Sequence, residues 1–203
     1  MAKRVVVIAS GETERRALPH LLRHLGEQGA LVDEPIRTPS RNRAITAENA
    51  CRLVLSAWYE KPPIDQPDKF VILLDADAKD PQDVVARFEE DLMATAVGHR
   101  VPVPILTVAA KWHLEAWFFA CAASLREYLG RDLGNIDTSQ PDEIVNPKRH
   151  LIHLLKAGRG EIYTARVAEE IAERLSVYSA QELRRSPSFA RFESAVRNGP
   201  KPA

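Results

Sequence analysis

Lys69-Phe70-Val71-Ile72-Leu73-Leu74-Asp75-Ala76-Asp77 is the stretch on which the reading of this chain turns. Phe70 to Leu74 are apolar without a break, the pattern of a strand covered on both faces inside a parallel sheet. In open sheets of that kind, ligands bind beyond the carboxyl ends of the strands. This strand runs out into two carboxylates, Asp75 and Asp77, one residue apart. Two such anions repel each other unless a cation or a shared proton relieves them. Oxygen-only donors favour a hard divalent ion, Mg²⁺ or Mn²⁺, over zinc. If the strand geometry persists through Asp77, both carboxylates point to one face and can grip one ion. The competing use is humbler: Asp75 ends a strand and Asp77 caps a turn. The unbroken apolarity of the strand favours the metal.

Outward from this strand the chain alternates. Towards the N-terminus, Arg4 to Ala9 has the composition of a buried strand, and Ser10-Gly11 turns it into a helix from Glu12 to Leu25, stopped by Gly26 and Gly29. A short strand, Leu31 to Ile36, precedes a polar loop with Arg37, Arg41 and Arg43. Thr46 caps a helix to Trp58 that the prolines at 62, 63 and 67 end. Beyond the aspartates, Asp80-Pro81 opens a helix to Ala96. Val101 to Thr107 reads as a fourth strand, at a sheet edge because of Pro102 and Pro104. Trp112 to Leu129 reads as one long apolar helix. This order predicts a four-stranded, largely parallel, right-handed sheet with helices on both faces. After Gly130 come a loop and helices over 147–156, 164–175, 179–185 and 187–197. The expected organisation is an α/β core over 1–128 and a helical extension over 129–203 packed on it.

Further groups gather around the same rim if the first and Asp75 strands are neighbours. Ser10-Gly11-Glu12-Thr13-Glu14 would then face Asp75 and offer a helix N-terminus suited to phosphate. The plainer reading is a helix start whose acids suit the dipole. Arg37, Arg41 and Arg43, with Arg15 and Arg16 of the first helix, are candidate contacts to a nucleic-acid backbone, against the plainer reading of a solvated loop. Glu115, in the apolar run Trp112 to Phe119, is a candidate third acid, or a cap. His113 in the same run reads as structural. Lys148, after Asn146-Pro147, can reach a phosphate as a point charge.

The bulk properties narrow the field. The 203 residues are 45% hydrophobic and 28% charged, an ordinary globular balance. Net charge is zero, which argues against a generally sticky nucleic-acid protein but leaves room for a local basic patch. Cys51 and Cys121 sit within apolar helical patterns and read as buried free thiols of a reducing, cytoplasmic compartment. The first residues are too short a run for a signal peptide or membrane span. There is no Walker loop, Gly-x-Gly-x-x-Gly, zinc spacing or Gly-x-Ser-x-Gly elbow.

Taken together, the motifs resemble the Toprim fold of topoisomerases, primases and the overcoming-lysogenisation-defect type nucleases. The chain is most similar to a family of small bacterial Toprim-like proteins of unknown function, often encoded beside AAA-type ATPases in phage-defence loci. The motifs that carry the likeness are Ser10-Gly11-Glu12-Thr13-Glu14 before Ala17 to Leu22, Asp75-Ala76-Asp77, Glu115-Ala116-Trp117, Pro147-Lys148 and the closing Ser188-Phe189-Ala190-Arg191-Phe192. The likeness implies a Mg²⁺- or Mn²⁺-dependent endonuclease acting on DNA or RNA. Asp75 and Asp77 would hold the metal, Glu14 or Glu12 would support it or shuttle a proton, Glu115 would orient water, and Lys148 would stabilise developing charge. It also implies an ATPase partner, and zero net charge adds dimerisation as another way to gain substrate affinity. One departure matters. Where the family has a glutamate at the end of the first strand, this chain has Ser10, and a hydroxyl does not replace a carboxylate in metal binding or proton transfer. The alternative is therefore a catalytically degenerate binding or sensor subunit. A phosphoaspartyl intermediate on Asp75 is a third and weaker option.

Overall fold

The computed structural model describes residues 3–38, 44–176 and 180–197. Five parallel strands form one sheet: β1 (Lys3–Ala9), β2 (Ala30–Val32), β3 (Ile36–Arg37), β4 (Lys69–Asp75) and β5 (Ile105–Ala110), in the order β2-β1-β4-β5. β3 continues along the same edge of β1 that β2 occupies. The anticipated single strand over 31–36 is thus two short pieces, paired through Val5↔Val32 and then Ile8↔Ile36. β5 lies at the opposite edge. Pro102 and Pro104 precede it rather than lie within it, so the strand begins at Ile105 and not at Val101. A proline has no N–H to give a ladder, but the Pro104 carbonyl still accepts from Phe70 N at 2.9 Å.

The central strands are apolar throughout because each face of the sheet meets helices. Val5, Val7, Ala9, Val71 and Leu73 belong to one core, and Val6, Ile8, Phe70, Ile72 and Leu74 to the other. This is the two-residue alternation of a strand buried on both sides. The second core is closed by α2 (Ala47–Tyr59), whose N-cap Thr46 accepts from Asn49 N, and α3 (Pro81–Ala94), capped by Asp80.

The first core is roofed by α1 (Glu12–Leu21), α4 (Glu115–Ala120), α5 (Ala122–Leu129), α6 (Pro147–Arg159), α7 (Ala165–Ser176), α8 (Ala180–Leu183) and α9 (Pro187–Arg197). α7 lies along α1, and α9 packs on β2, β4 and β5. The C-terminal helices therefore complete the same core as the sheet. Two helices are shorter than their sequence pattern predicts. α1 stops at Leu21 and passes into 3₁₀ turns over Arg23–Gln28. The helix anticipated over 112–129 begins at Glu115 and breaks at Cys121 (φ −97°, ψ 57°) into α4 and α5. Trp117 of α4 is fully buried, set edge-on to Phe189 and stacked on Phe192 of α9, and its Nε1 donates to Ser188 Oγ at 2.8 Å. Cys51 and Cys121 are free and buried.

Candidate functional site

A cleft of about 660 Å³ opens at the carboxyl ends of β1 and β4, lined by Ser10 to Glu14, Asp75 to Asp77, His113, Glu115 and Lys148 among others. Its position follows from the topology. β1 and β4 are adjacent and parallel, so the Ser10 turn stands beside the end of β4. Ser10 Oγ donates to Asp75 Oδ2 at 3.3 Å.

Three carboxylates converge here from separate elements. Asp75 continues the alternation of Val71 and Leu73 and so faces the first core, on the side of α1 and α4. Glu14 opens the buried stripe of α1, followed by Ala17, Leu18 and Leu21; the spacing of three, four and seven is one face of a helix. Glu115 begins α4, in which every residue from Glu115 to Ala120 is buried. Glu14 is 8% exposed and Glu115 1%. Gly11 makes room for this packing: a Cβ there would stand 2.7 Å from Glu14 Oε2.

The electrostatics match this crowding. Burial first, then the charges of Asp75 and Glu115, push the Glu14 carboxyl up to about 7. Burial, then Glu115 and Asp77, raise Asp75 to about 7, against the smaller lowering effects of Ser10 and Lys148. Glu115 Oε1 accepts from Tyr163 Oη at 2.8 Å and lies 3.7 Å from Lys148 Nζ, while Oε2 is buried with no partner. Tyr163 was not among the residues singled out from sequence. It lies between α6 and α7, 48 residues from Glu115, in a segment with no periodic pattern to mark it.

The other anticipated residues are placed differently. β4 ends at Asp75, and Asp77 and Ala78 take left-handed backbone (φ 48° and 71°). The strand geometry that would have aligned Asp75 with Asp77 does not persist. Asp77 has a side chain 67% exposed and pairs with His113 Nε2 at 3.2 Å on the rim. Glu12, two residues before Glu14, points away from the buried stripe. Its carboxylate meets Arg15, Arg16 and Arg37, and hydrogen bonds from Arg15 and then Arg16 hold it down at about 2. Arg15 also pairs with Glu34. Arg15 and Arg37, anticipated as phosphate contacts, are thus engaged by acids, and Arg41 and Arg43 lie outside the described residues.

The donor set suits a hard divalent cation. All of its anionic groups are carboxylates, two of them are held near 7 by burial and by the charges of neighbouring carboxylates, and one buried oxygen of Glu115 lacks a partner among the described residues. Among the described residues, no group of three or more His, Cys, Asp or Glu side chains is placed to hold a metal ion. Mg²⁺ characteristically keeps several waters and takes one or two carboxylates, so Asp75 and Glu14 are the side chains that would hold one.

A family model described as a domain of unknown function, DUF4276, matches residues 10–197, from the Ser10 turn to the end of α9. The chain belongs to the DUF4276 family. The match includes every cleft residue described above. No curated protein matches the chain. Among solved structures, the C-terminal region of the Burkholderia pseudomallei OLD protein is similar at 16% identity, covering 97% of this chain and 100% of that one, with a TM-score of 0.46. The C-terminal region of the Xanthomonas campestris pv. campestris OLD protein is similar at 17% identity over 95% of each chain, with a TM-score of 0.42. Among the described residues, no helix is long and apolar enough to cross a membrane.

Proposed function

We propose that this DUF4276 protein is a Mg²⁺- or Mn²⁺-dependent nuclease of the Toprim type, hydrolysing phosphodiesters in DNA or RNA. The observation that carries the reading is the convergence of Glu14, Asp75 and Glu115 opposite Lys148, with Glu14 and Asp75 raised to about 7. A structural role alone gives no reason to gather three acids in one cleft, two of them buried, since like charges repel. The motif resemblance supplies the reaction class. When bound, a hard divalent ion would polarise the phosphate and acidify a water.

The chain's own groups divide the remaining work. Asp75 and Glu14 would hold the cation, their protons passing to solvent as it binds. Glu115 Oε2, the unpartnered oxygen, orients a water. Lys148 at the start of α6 faces the negative charge that develops on the phosphate. Asp77 is the weaker candidate ligand because its backbone turns it towards His113. Nucleic acid is the substrate of this reading. An AAA-type ATPase partner, pairing of two copies and a role in phage defence belong to it as expectations from the resemblance.

The test is cleavage of labelled oligonucleotides by purified protein with and without Mn²⁺. Ion-dependent cleavage lost in Asp75→Asn and Glu14→Gln is the expected result. Absence of both cleavage and any Mn²⁺-dependent thermal shift would overturn the proposal. One observation favours a second reading, a binding or sensor subunit without catalysis: Ser10 stands against Asp75 where the Toprim pattern has glutamate. Mn²⁺ binding without cleavage, converted to cleavage by Ser10→Glu, would select it.

A further inference from the structure

Glu115 is the least exposed of the three acids, and its two oxygens are treated unequally. Oε1 takes the Tyr163 hydroxyl at 2.8 Å and faces Lys148 Nζ at 3.7 Å. Oε2 is buried and takes nothing. Lys148 Nζ in turn lies 5.9 Å from the centre of the Tyr163 ring, within the range at which a cation is drawn to an aromatic face. The three side chains form a closed group from three elements: Glu115 at the first residue of α4, Lys148 near the start of α6 and Tyr163 ahead of α7.

The arrangement is asymmetric in a way that packing alone does not require. A buried carboxylate is most cheaply satisfied on both oxygens, and leaving one without a donor carries a desolvation cost. A tyrosine hydroxyl facing a carboxylate acts only as donor. It thus fixes the carboxylate's rotation about its terminal bond, which otherwise exchanges the two oxygens freely.

We propose that Tyr163 is a positioning residue: its hydroxyl fixes the rotation of Glu115, holding Oε1 beside Lys148 and leaving Oε2 as the oxygen without a competing donor. This rests on the metal-dependent reading above and adds to it a residue outside all of the sequence motifs. The segment before α7 thereby enters the site, although it contributes no group that touches the ion or the phosphate.

The test uses the full chain, with Mn²⁺ alone as probe. Tyr163→Phe removes the hydroxyl and keeps the ring, so the fold survives. Positioning predicts that its Tm in chelator stays within a few degrees of wild type while Mn²⁺ affinity, read from the thermal shift or by calorimetry, falls about tenfold. Glu115→Gln should lose a similar factor, and the double variant should lose no more than the worse single one, because the hydroxyl acts only through the carboxylate. A Tyr163→Phe protein that binds Mn²⁺ as wild type does, while Glu115→Gln does not, overturns this inference and leaves the proposed function standing. Losses that multiply in the double variant overturn it too. A wild-type protein with no Mn²⁺ response overturns both.

Discussion

Asp75 and Glu14 are costly residues for this fold to hold, and the cost has a sign that can be measured. Both carboxyls are raised to about 7 from ordinary values of 3.8 and 4.5. Between those limits the folded protein binds more protons than the unfolded chain, so stability falls as pH rises. Their contribution is fully present below about pH 4 and is lost as pH passes through about 7. At ~1.4 kcal/mol per unit the penalty is on the order of a few kcal/mol for the pair, which repel each other and do not add. In chelator at pH 8, Asp75→Asn should therefore raise Tm by about 3–8 °C, and with Mn²⁺ in place of chelator it should show none of the stabilisation expected of the wild type. A fall in Tm would mean that Asp75 is a structural carboxylate. Asp77→Asn should reduce the Mn²⁺ shift less than Asp75→Asn does; an equal loss would restore Asp77 as a full ligand. At this scale the sequence was partly legible. Asp75 announced itself because a charge ends an apolar run. Glu14 separates from Glu12 because Glu14 falls in register with Ala17, Leu18 and Leu21, a distinction available from spacing alone. Tyr163 was invisible, since its meaning lies in a contact across 48 residues.

Elements carry two further predictions, one at each side of the cleft. Gly11 has φ −140°, which any residue adopts, yet its missing side chain leaves space for Glu14 Oε2. The obstructing atoms are the free end of a flexible side chain. Gly11→Ala should thus change Tm by no more than about 1–3 °C while displacing the Glu14 carboxylate. Circular dichroism and Mn²⁺ titration together check this, with intact folding and weakened binding as the expected pair. Across the cleft, Asp77 and Ala78 occupy left-handed backbone in succession, costing about 1–2 kcal/mol for a residue with a Cβ. Ala78→Gly relieves that strain at a smaller entropic cost, so Tm should rise by roughly 1–3 °C; a lower Tm would show the turn to be unstrained. This turn is also where strand periodicity misled. Ala78 N bonds Lys111 O at 3.2 Å and Lys79 N bonds Ala76 O at 2.9 Å, so the chain coils immediately after Asp75. The break at Cys121 was likewise unreadable, because no glycine or proline marks it.

At the scale of the whole molecule, the described residues build one sheet with two cores, and the order of the elements was the most legible property of the sequence. Parallel connections require crossovers of helical length, and the alternation of apolar runs with capped helices showed them. Less legible was how deeply the C-terminal helices enter. Phe189, Phe192 and Val196 of α9 are fully buried in the same core as Val5, Val7 and Val71. Removing the ring in Phe192→Ala should cost about 3–5 kcal/mol, lowering Tm by about 10 °C. Because the core is shared, near-ultraviolet dichroism and helix signal should be lost in one transition; two separate transitions would show that the C-terminal helices melt independently.

The span of these contacts also governs how quickly the structure can be reached. β1 meets β4 across 64 residues, Trp117 meets Ser188 across 71, and Lys69 meets the Ala195 carbonyl across 126. Each closes a long loop of chain before any reward arrives, and architectures dominated by such pairings refold in roughly milliseconds to seconds rather than microseconds. The cleft draws on segments from residue 10 to residue 163. In a stopped-flow experiment the ion affinity proposed for it should accordingly appear with the slowest phase, after most of the helical signal has returned.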